Sequence, residues 1–159
     1  MLSLVIPIFN EEKGIDELLK RTISALESFI PDYEIIFVDD GSTDSSLERI
    51  LNWQGKNDRI KVLSLSKNFG HQAALTAGLE HAKGDIVAMM DGDLQDPPEL
   101  LSEMYRKITQ EDFDIVSGKK TGRKGSKGRI LYAILFHLFF KKIGEIKDME
   151  NSGNFSMMN

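Results

Sequence analysis

Through its first 119 residues the chain alternates short apolar, β-branched runs with stretches of helical periodicity, and this alternation narrows the possible folds more than any other feature. The runs are LSLVIP (2–7), YEIIFVD (33–39), IKVLSLS (60–66), DIVAMMD (85–91) and FDIVSGK (113–119). Strands that take turns with helices belong to βαβ units, which wind around a mostly parallel sheet. The second and fourth runs are apolar almost throughout, so they are expected to be covered on both faces.

Each segment between the runs carries its own start or stop signal. Ile15, Leu18, Leu19, Ile23 and Leu26 recur at helical spacing in a helix expected over residues 12–29, which IPDY ends. Ser42, Thr43 and Asp44 are candidate caps for a second helix reaching about Trp53. A third is expected over residues 71–82, closed by Gly84. A fourth opens at Pro97-Pro98 and turns Leu100, Leu101, Met104 and Ile108 inward. With 159 residues, 41% of them hydrophobic, the chain has enough apolar material for one core, and a single domain is expected.

Acidic residues outnumber basic ones by 25 to 20, and the net charge of −5 offers nucleic acid no general attraction. The distribution is uneven. Lys119, Lys120, Arg123, Lys124, Lys127 and Arg129 fall in one Gly-rich stretch without an acid, so that stretch carries +6 and the rest of the chain −11. A cluster of that kind is a place for an anion. The run ILYAILFHLFF that follows (130–140) has eleven residues, whereas a bilayer-spanning helix takes about 20. It reads as a core helix or as one lying at a membrane surface. With no cysteine, disulfides and thiolate metal sites are excluded. MLSLVIPIFNEE has no basic leader before its apolar run, so it reads as a first core strand, with the functional face expected in the cytoplasm.

In an open parallel sheet, ligands gather beyond the carboxyl ends of the strands. The loops there are PIFNEE, DDGSTDS, KNFGHQ and DGDLQDPPE, and the last says most. Side chains alternate along extended chain, so Asp91 and Asp93 are expected to point the same way with only Gly92 between them. Like charges so placed repel, and a hard divalent cation such as Mg²⁺ or Mn²⁺ relieves the repulsion, with Gln95 as a candidate third ligand. A metal held this way keeps positions open for phosphate and would neutralise a departing diphosphate. Two other enzyme classes fit less well. The aspartyl-nucleophile phosphohydrolases carry Asp-x-Asp on the first strand, not the fourth, and no G-x-G-x-x-G follows the first strand as a dinucleotide-dependent dehydrogenase requires.

Taken together, VIPIFNEE, VDDGSTDSS and NFGHQAALTAGLEHAKGDIVAMMDGDLQDPPE resemble the family 2 glycosyltransferases of GT-A fold, in the branch of dolichol-phosphate mannose synthase and the bacterial polyprenyl-phosphate sugar transferases. The resemblance is close over residues 2–119 and loose beyond. It implies a single α/β catalytic domain over 1–159, with a Rossmann-like nucleotide-sugar-binding half (1–93) and an acceptor-side part (94–159). It implies that Pro7, Asn10, Glu11, Asp39 and Asp40 cradle the nucleoside of a UDP- or GDP-sugar, with Lys67 and the loop around Asn68 and Gly70 beside the donor. Asp91 and Asp93, the residues on which catalysis would depend, would hold Mg²⁺ or Mn²⁺ at the diphosphate together with Gln95. Arg123 or Lys124 would bind the phosphate of a polyprenyl phosphate acceptor, a task suited to paired basic residues and glycine amides. The implied reaction is an inverting transfer at the cytoplasmic face of the membrane, in cell-envelope biogenesis.

One departure bears on the acceptor. Where that branch usually shows Gly-Asp-Phe-Arg, this chain reads Gly153-Asn154-Phe155-Ser156. Either the acceptor is a lipid phosphate that needs no deprotonation, or it is a sugar hydroxyl of a polysaccharide, for which Asp148 and Glu150 are the acidic candidates. A nucleotide-binding module without turnover is the reading of another class. Membrane-resident members of the branch continue further, often into transmembrane helices, and NFSMMN reads as a strand in mid-course, so a longer parent protein is expected. His71, His81 and His137 receive no role.

Overall fold

The two most apolar neighbours of the sheet are the first two runs of the sequence, and their packing explains why they are apolar on both faces. The computed structural model describes residues 1–111, 113–119 and 152–159. Its strands are β1 (Leu2–Ile8), β2 (Tyr33–Asp39), β3 (Ile60–Ser64), β4 (Ile86–Met89), β5 (Ile115–Lys119) and β6 (Ser152–Met158), in one six-stranded sheet of order β3-β2-β1-β4-β6-β5. β1 pairs in parallel with both β2 and β4, and β2 with β3, while β6 runs antiparallel to β4. This is the mostly parallel α/β sheet that the alternation predicts. The chain divides into two compact units, Met1–Ser117 with Asn154–Asn159, and Gly118–Gly153; the site lies in the first.

Every residue of β1 and β2 is buried. Leu2, Leu4, Ile6 and Ile8 of β1 and Tyr33, Ile35 and Phe37 of β2 enter one apolar cluster with α1 (Ile15–Glu27), Ile50 of α2 (Ser46–Gln54) and α4 (Leu101–Gln110). Val5, Ile36 and Val38 enter a second, with Ala74 and Leu75 of α3 (His71–His81). The strand period of two thus splits each strand between two covered faces. Burying a side chain such as Phe37 contributes about 1.5–3 kcal/mol, so these central strands supply the rigid platform from which the loops project.

Element boundaries differ from the sequence reading in ways that matter for the site. α1 and α2 begin at Ile15 and Ser46, later than expected, because the polar residues ahead of them bond to each other across two loops. β4 ends at Met89, two residues before Asp91. A 3-10 turn, Pro98–Leu100, precedes α4; it leaves Leu100 44% exposed, while Leu101, Met104 and Ile108 point inward as expected. Among the described residues no helix is long and apolar enough to cross a membrane. The basic stretch with Arg123 and Lys124, the apolar run 130–140 with His137, and Asp148 and Glu150 all lie outside the described residues.

At the edge where the parallel strands begin, a polar cluster closes the sheet. Glu34, 7% exposed, accepts from Ser3 Oγ at 2.7 Å and from the Lys83 N–H at 2.9 Å, and Ser3 Oγ in turn accepts from the Gly84 N–H at 2.8 Å. These buried groups satisfy one another and tie the β1–β2 pair to the turn after α3.

Candidate functional site

At the opposite edge the chain order of the sheet sets the geometry. It proceeds outward from β1 to β3 and then returns to place β4 on the other side of β1, so the loops after β1 and β4 are neighbours at the edge where such sheets gather ligands, and the helices they lead to, α1 and α4, pack together. Four loops follow β1, β2, β3 and β4 at this edge.

The first two are bonded together. Asn10, in the left-handed region at φ 57°, donates its N–H to Ser42 Oγ at 3.0 Å, and its Oδ1 accepts from the Thr43 N–H at 2.9 Å. The Glu11 N–H reaches Ser46 Oγ at 2.8 Å, and the Glu12 N–H reaches Asp44 Oδ2 at 3.1 Å. Ser42 therefore caps no helix; its own N–H goes to Asp39 Oδ1 at 3.2 Å, and Asp44 accepts from the Ser46 N–H at 2.9 Å. Asp44 feels burial, which raises its pKa, but the bonds from Ser46 and Glu12 outweigh it and hold the carboxyl below its ordinary value.

The second and third loops are joined by a buried carboxylate. Asp40 is 3% exposed, and its two oxygens accept from the N–H groups of Phe69 at 2.7 Å and Gly70 at 2.9 Å. Gly41 sits at φ +69°, and a Cβ there would lie 2.5 Å from the Lys67 carbonyl carbon, so only glycine lets the two loops meet. The result is a firmly held backbone with an outward side chain: Phe69 is 54% exposed, and Lys67 Nζ lies 5.1 Å from the centre of its ring.

The fourth loop departs from the extended geometry expected of it. Because β4 stops at Met89, Asp91-Gly92-Asp93 runs into a turn, and its two carboxylates occupy different surroundings. Asp91 is partly buried, and its N–H donates to Oδ2 of Asp96, itself only 2% exposed, at 3.1 Å. Gly92 is pressed against β1, where a Cβ would stand 2.3 Å from Ile8 Cδ1 and 3.0 Å from the Pro7 carbonyl oxygen. Asp93 is exposed and accepts from the Gln95 N–H at 3.0 Å, with Leu94 at φ 62° completing the turn. Burial pushes the Glu11 carboxyl above its ordinary value, and the charges of Asp93 and then Asp44 push it the same way. The loops after β1 and β4 therefore meet in a concentration of negative charge.

From β6 comes a contribution that the sequence does not announce. Ser156 lies opposite Met89, the last residue of β4, and Asn154 stands two residues before it in β6. Its side-chain amide approaches Asp91 and His71 together, at the start of α3. Ser156, in the same strand, is 7% exposed and lies within the sheet.

The expected residues thus divide by environment. Asn10 and Asp40 hold loops to one another, Asp39 accepts from Ser42 within its own loop, Pro7 is buried in β1, and Gly70 is fixed by Asp40. Glu11, Asp91, Asp93, Gln95 and Lys67 line the rim with polar groups at least partly open to solvent. Among the described residues, no group of three or more acidic or histidine side chains could by itself hold a metal ion. The oxygen donors of Asp91, Asp93 and Gln95 fit a hard cation in kind, the charge gathered around Glu11 is what such a cation relieves, and water or phosphate would have to complete its shell. Asp96 is a polar residue that reasoning from sequence missed, as are the places that His71 and Asn154 take beside Asp91; Asp44, a candidate cap in the sequence, does accept from the first N–H of α2, at Ser46.

The model of the family described as Glycosyl transferase family 2 matches residues 3–159. The chain is 39% identical to an uncharacterized glycosyltransferase of Synechocystis sp., over 99% of this chain and 49% of that one. It is also 39% identical to the dodecaprenyl-phosphate galacturonate synthase of Rhizobium johnstonii, over 77% of this chain and 37% of that one. In structure it is similar to S. aureus TarS in complex with UDP-GlcNAc, with a TM-score of 0.65 at 29% identity, over 79% of this chain and 36% of that one. The chain spans about half the length of the first curated relatives it matches. Its sheet, with these neighbours, is that of the GT-A fold.

Proposed function

The chain belongs to glycosyl transferase family 2, and on that premise we propose that it forms the donor-binding part of an inverting, metal-dependent enzyme that moves a sugar from a UDP- or GDP-sugar to a polyprenyl phosphate. The observation that carries the reading is the approach of Glu11 and Asp93, from the neighbouring loops after β1 and β4, with the partly buried Asp91 two residues before Asp93. Negative charge gathered where a fold of this type binds its ligand suits a cation and a diphosphate, and little else. The similarity to a dodecaprenyl-phosphate galacturonate synthase supports the acceptor, and the similarity to TarS, solved with UDP-GlcNAc, supports a nucleotide-sugar donor.

In this reading Asp40 and Asn10 keep the nucleoside cradle in shape by fixing the loops that Glu11, Lys67 and Gly70 belong to, and Asp39 shapes the turn at Ser42 beside them. Lys67, held over Phe69, offers a cation to the donor's phosphates. Asp91, Asp93 and Gln95 would hold Mg²⁺ or Mn²⁺, which when bound neutralises charge on the diphosphate as it leaves. Asp93, exposed on its turn, faces the ligand, while Asp91 is braced from behind by Asp96. Arg123 or Lys124 would take the lipid phosphate at the cytoplasmic membrane face, so the acceptor oxygen arrives already ionised and can attack opposite the diphosphate.

Calorimetric titration with UDP and with GDP, each with and without Mn²⁺, tests the donor half. Metal-dependent binding of one nucleotide is expected, and its loss in an Asp91→Ala, Asp93→Ala double variant. Absence of binding by either nucleotide sinks the donor site. Transfer to an oligosaccharide in preference to polyprenyl phosphate, with both offered as acceptors, would replace the acceptor with a sugar hydroxyl.

A further inference from the structure

The Nδ2 atom of Asn154 lies 2.7 Å from His71 Nε2 and 3.4 Å from Asp91 Oδ1, and those two atoms are themselves 3.4 Å apart. A side-chain NH₂ has two hydrogens to give and no lone pair to offer. His71 Nε2 must therefore accept, which puts the ring proton on Nδ1. Asn154 stands between two acceptors and donates to both.

We propose that Asn154 is a positioning residue that orients the Asp91 carboxylate and fixes the His71 tautomer through this double donation, and that it thereby suits the site to an acceptor that arrives as an anion. The inference rests on the donor-side role proposed for Asp91. Its logic is one of occupied lone pairs. A neutral hydroxyl acceptor needs a base beside the reacting carbon, and an imidazole serves only through an unprotonated nitrogen that is free to take a proton. Here the unprotonated nitrogen of His71 is covered by the Asn154 amide. A carboxylate at position 154 would do the reverse, setting a second negative charge beside Asp91 with no hydrogen to give either neighbour. A phosphate acceptor brings its own ionised oxygen and needs neither base. The antiparallel entry of β6 makes this possible, since the residues just ahead of its pairing with Met89 pass the loop that holds Asp91, and Asn154 lies among them.

Removing the amide leaves Nε2 and Asp91 Oδ1 close enough to bond directly once the proton moves to Nε2. The test is the ring ¹⁵N spectrum of His71 at alkaline pH, where imidazole is neutral, assigned by its disappearance in His71→Ala. The wild-type protein should show the Nδ1–H tautomer, and Asn154→Ala should shift it toward Nε2–H without lowering the melting temperature. An Nε2–H ring in the wild type, or the same tautomer in both proteins, overturns the inference whether or not any nucleotide binds. A second measurement reads the carboxylate. Asn154→Ala should weaken Mn²⁺-dependent UDP or GDP binding about tenfold, the effect of losing one hydrogen bond to a charged group. Equal affinity in the two proteins overturns the orienting role. Failure of the wild type to bind either nucleotide is a failure of the donor reading, seen separately from the tautomer.

Discussion

At the edge where its parallel strands begin, the sheet buries Glu34 and gives its carboxylate a hydroxyl and a backbone N–H; at the edge where they end, it buries Asp40 and gives it two backbone N–H groups. Both are acids made into joints, each tying together segments far apart in sequence. The surroundings differ. The first edge has Ser3, Glu34 and the turn after α3 in a closed set, whereas the second adds Glu11, Asp91 and Asp93, and there burial, followed by the charges of Asp93 and Asp44, raises the Glu11 pKa. A buried acid by itself therefore says nothing of function. What distinguishes the second edge is acidic charge beyond what holds the loops.

Four perturbations bear on that distinction, and the largest acts on the surplus. Asp93→Ala should lower sugar transfer by on the order of 10²–10³, the usual effect of losing a group that stabilises developing charge, with an unchanged melting temperature because Asp93 is exposed. Retained transfer would make this edge no different from the other. Asp40→Ala should destabilise by about 2–4 kcal/mol, since two partly buried N–H groups lose their acceptor, and should weaken nucleotide binding as the loop at Phe69 and Gly70 loosens. Denaturant unfolding and calorimetry together read both effects. Glu34→Ala sharpens the contrast: it should cost about 1–3 kcal/mol of stability and leave nucleotide affinity untouched. Any change in affinity there would join the two edges functionally.

The smallest effect is one of pH. The Asp44 carboxyl is held below its ordinary value, so its ionised form stabilises the fold at pH values above the unfolded aspartate range. That contribution disappears as the pH falls through the folded value. Asp44→Asn should thus lie below wild type in urea midpoint at neutral pH and converge with it in acid. A gap that persists in acid would assign the effect to shape and not to charge.

How much of this was legible beforehand depends on how local each signal is. β2 followed from an unbroken apolar run, and α1 from its helical spacing, because burial on two faces or one is written into consecutive residues; the fourth run, read the same way as the second, is only partly buried in β4. The loop edge followed from where polar residues interrupt those runs. The turn at Asp91 did not, since Gly92 leaves the strand direction only because β1 lies against it. The late start of α2 depends on Asn10 and Glu12, thirty-odd residues away, claiming the N–H groups that a cap would use. Asn154 was visible only as a departure from a motif; its partners are set by the register of β6 on β4, which nothing near Asn154 encodes.

That register also imposes an order of assembly. β2, β3 and β4 each find a partner among strands made before them, and the three loops bonded by Asp40, Asn10 and Asp44 come with them. β6 comes last along the chain, so its place beside β4 can be filled only after the other pairings are possible. During synthesis on the ribosome, a nascent chain would hold the scaffold of its donor edge before Asn154 had been translated. The residue beside Asp91 is then among the last to arrive, so the site reaches its final form only when the sheet does.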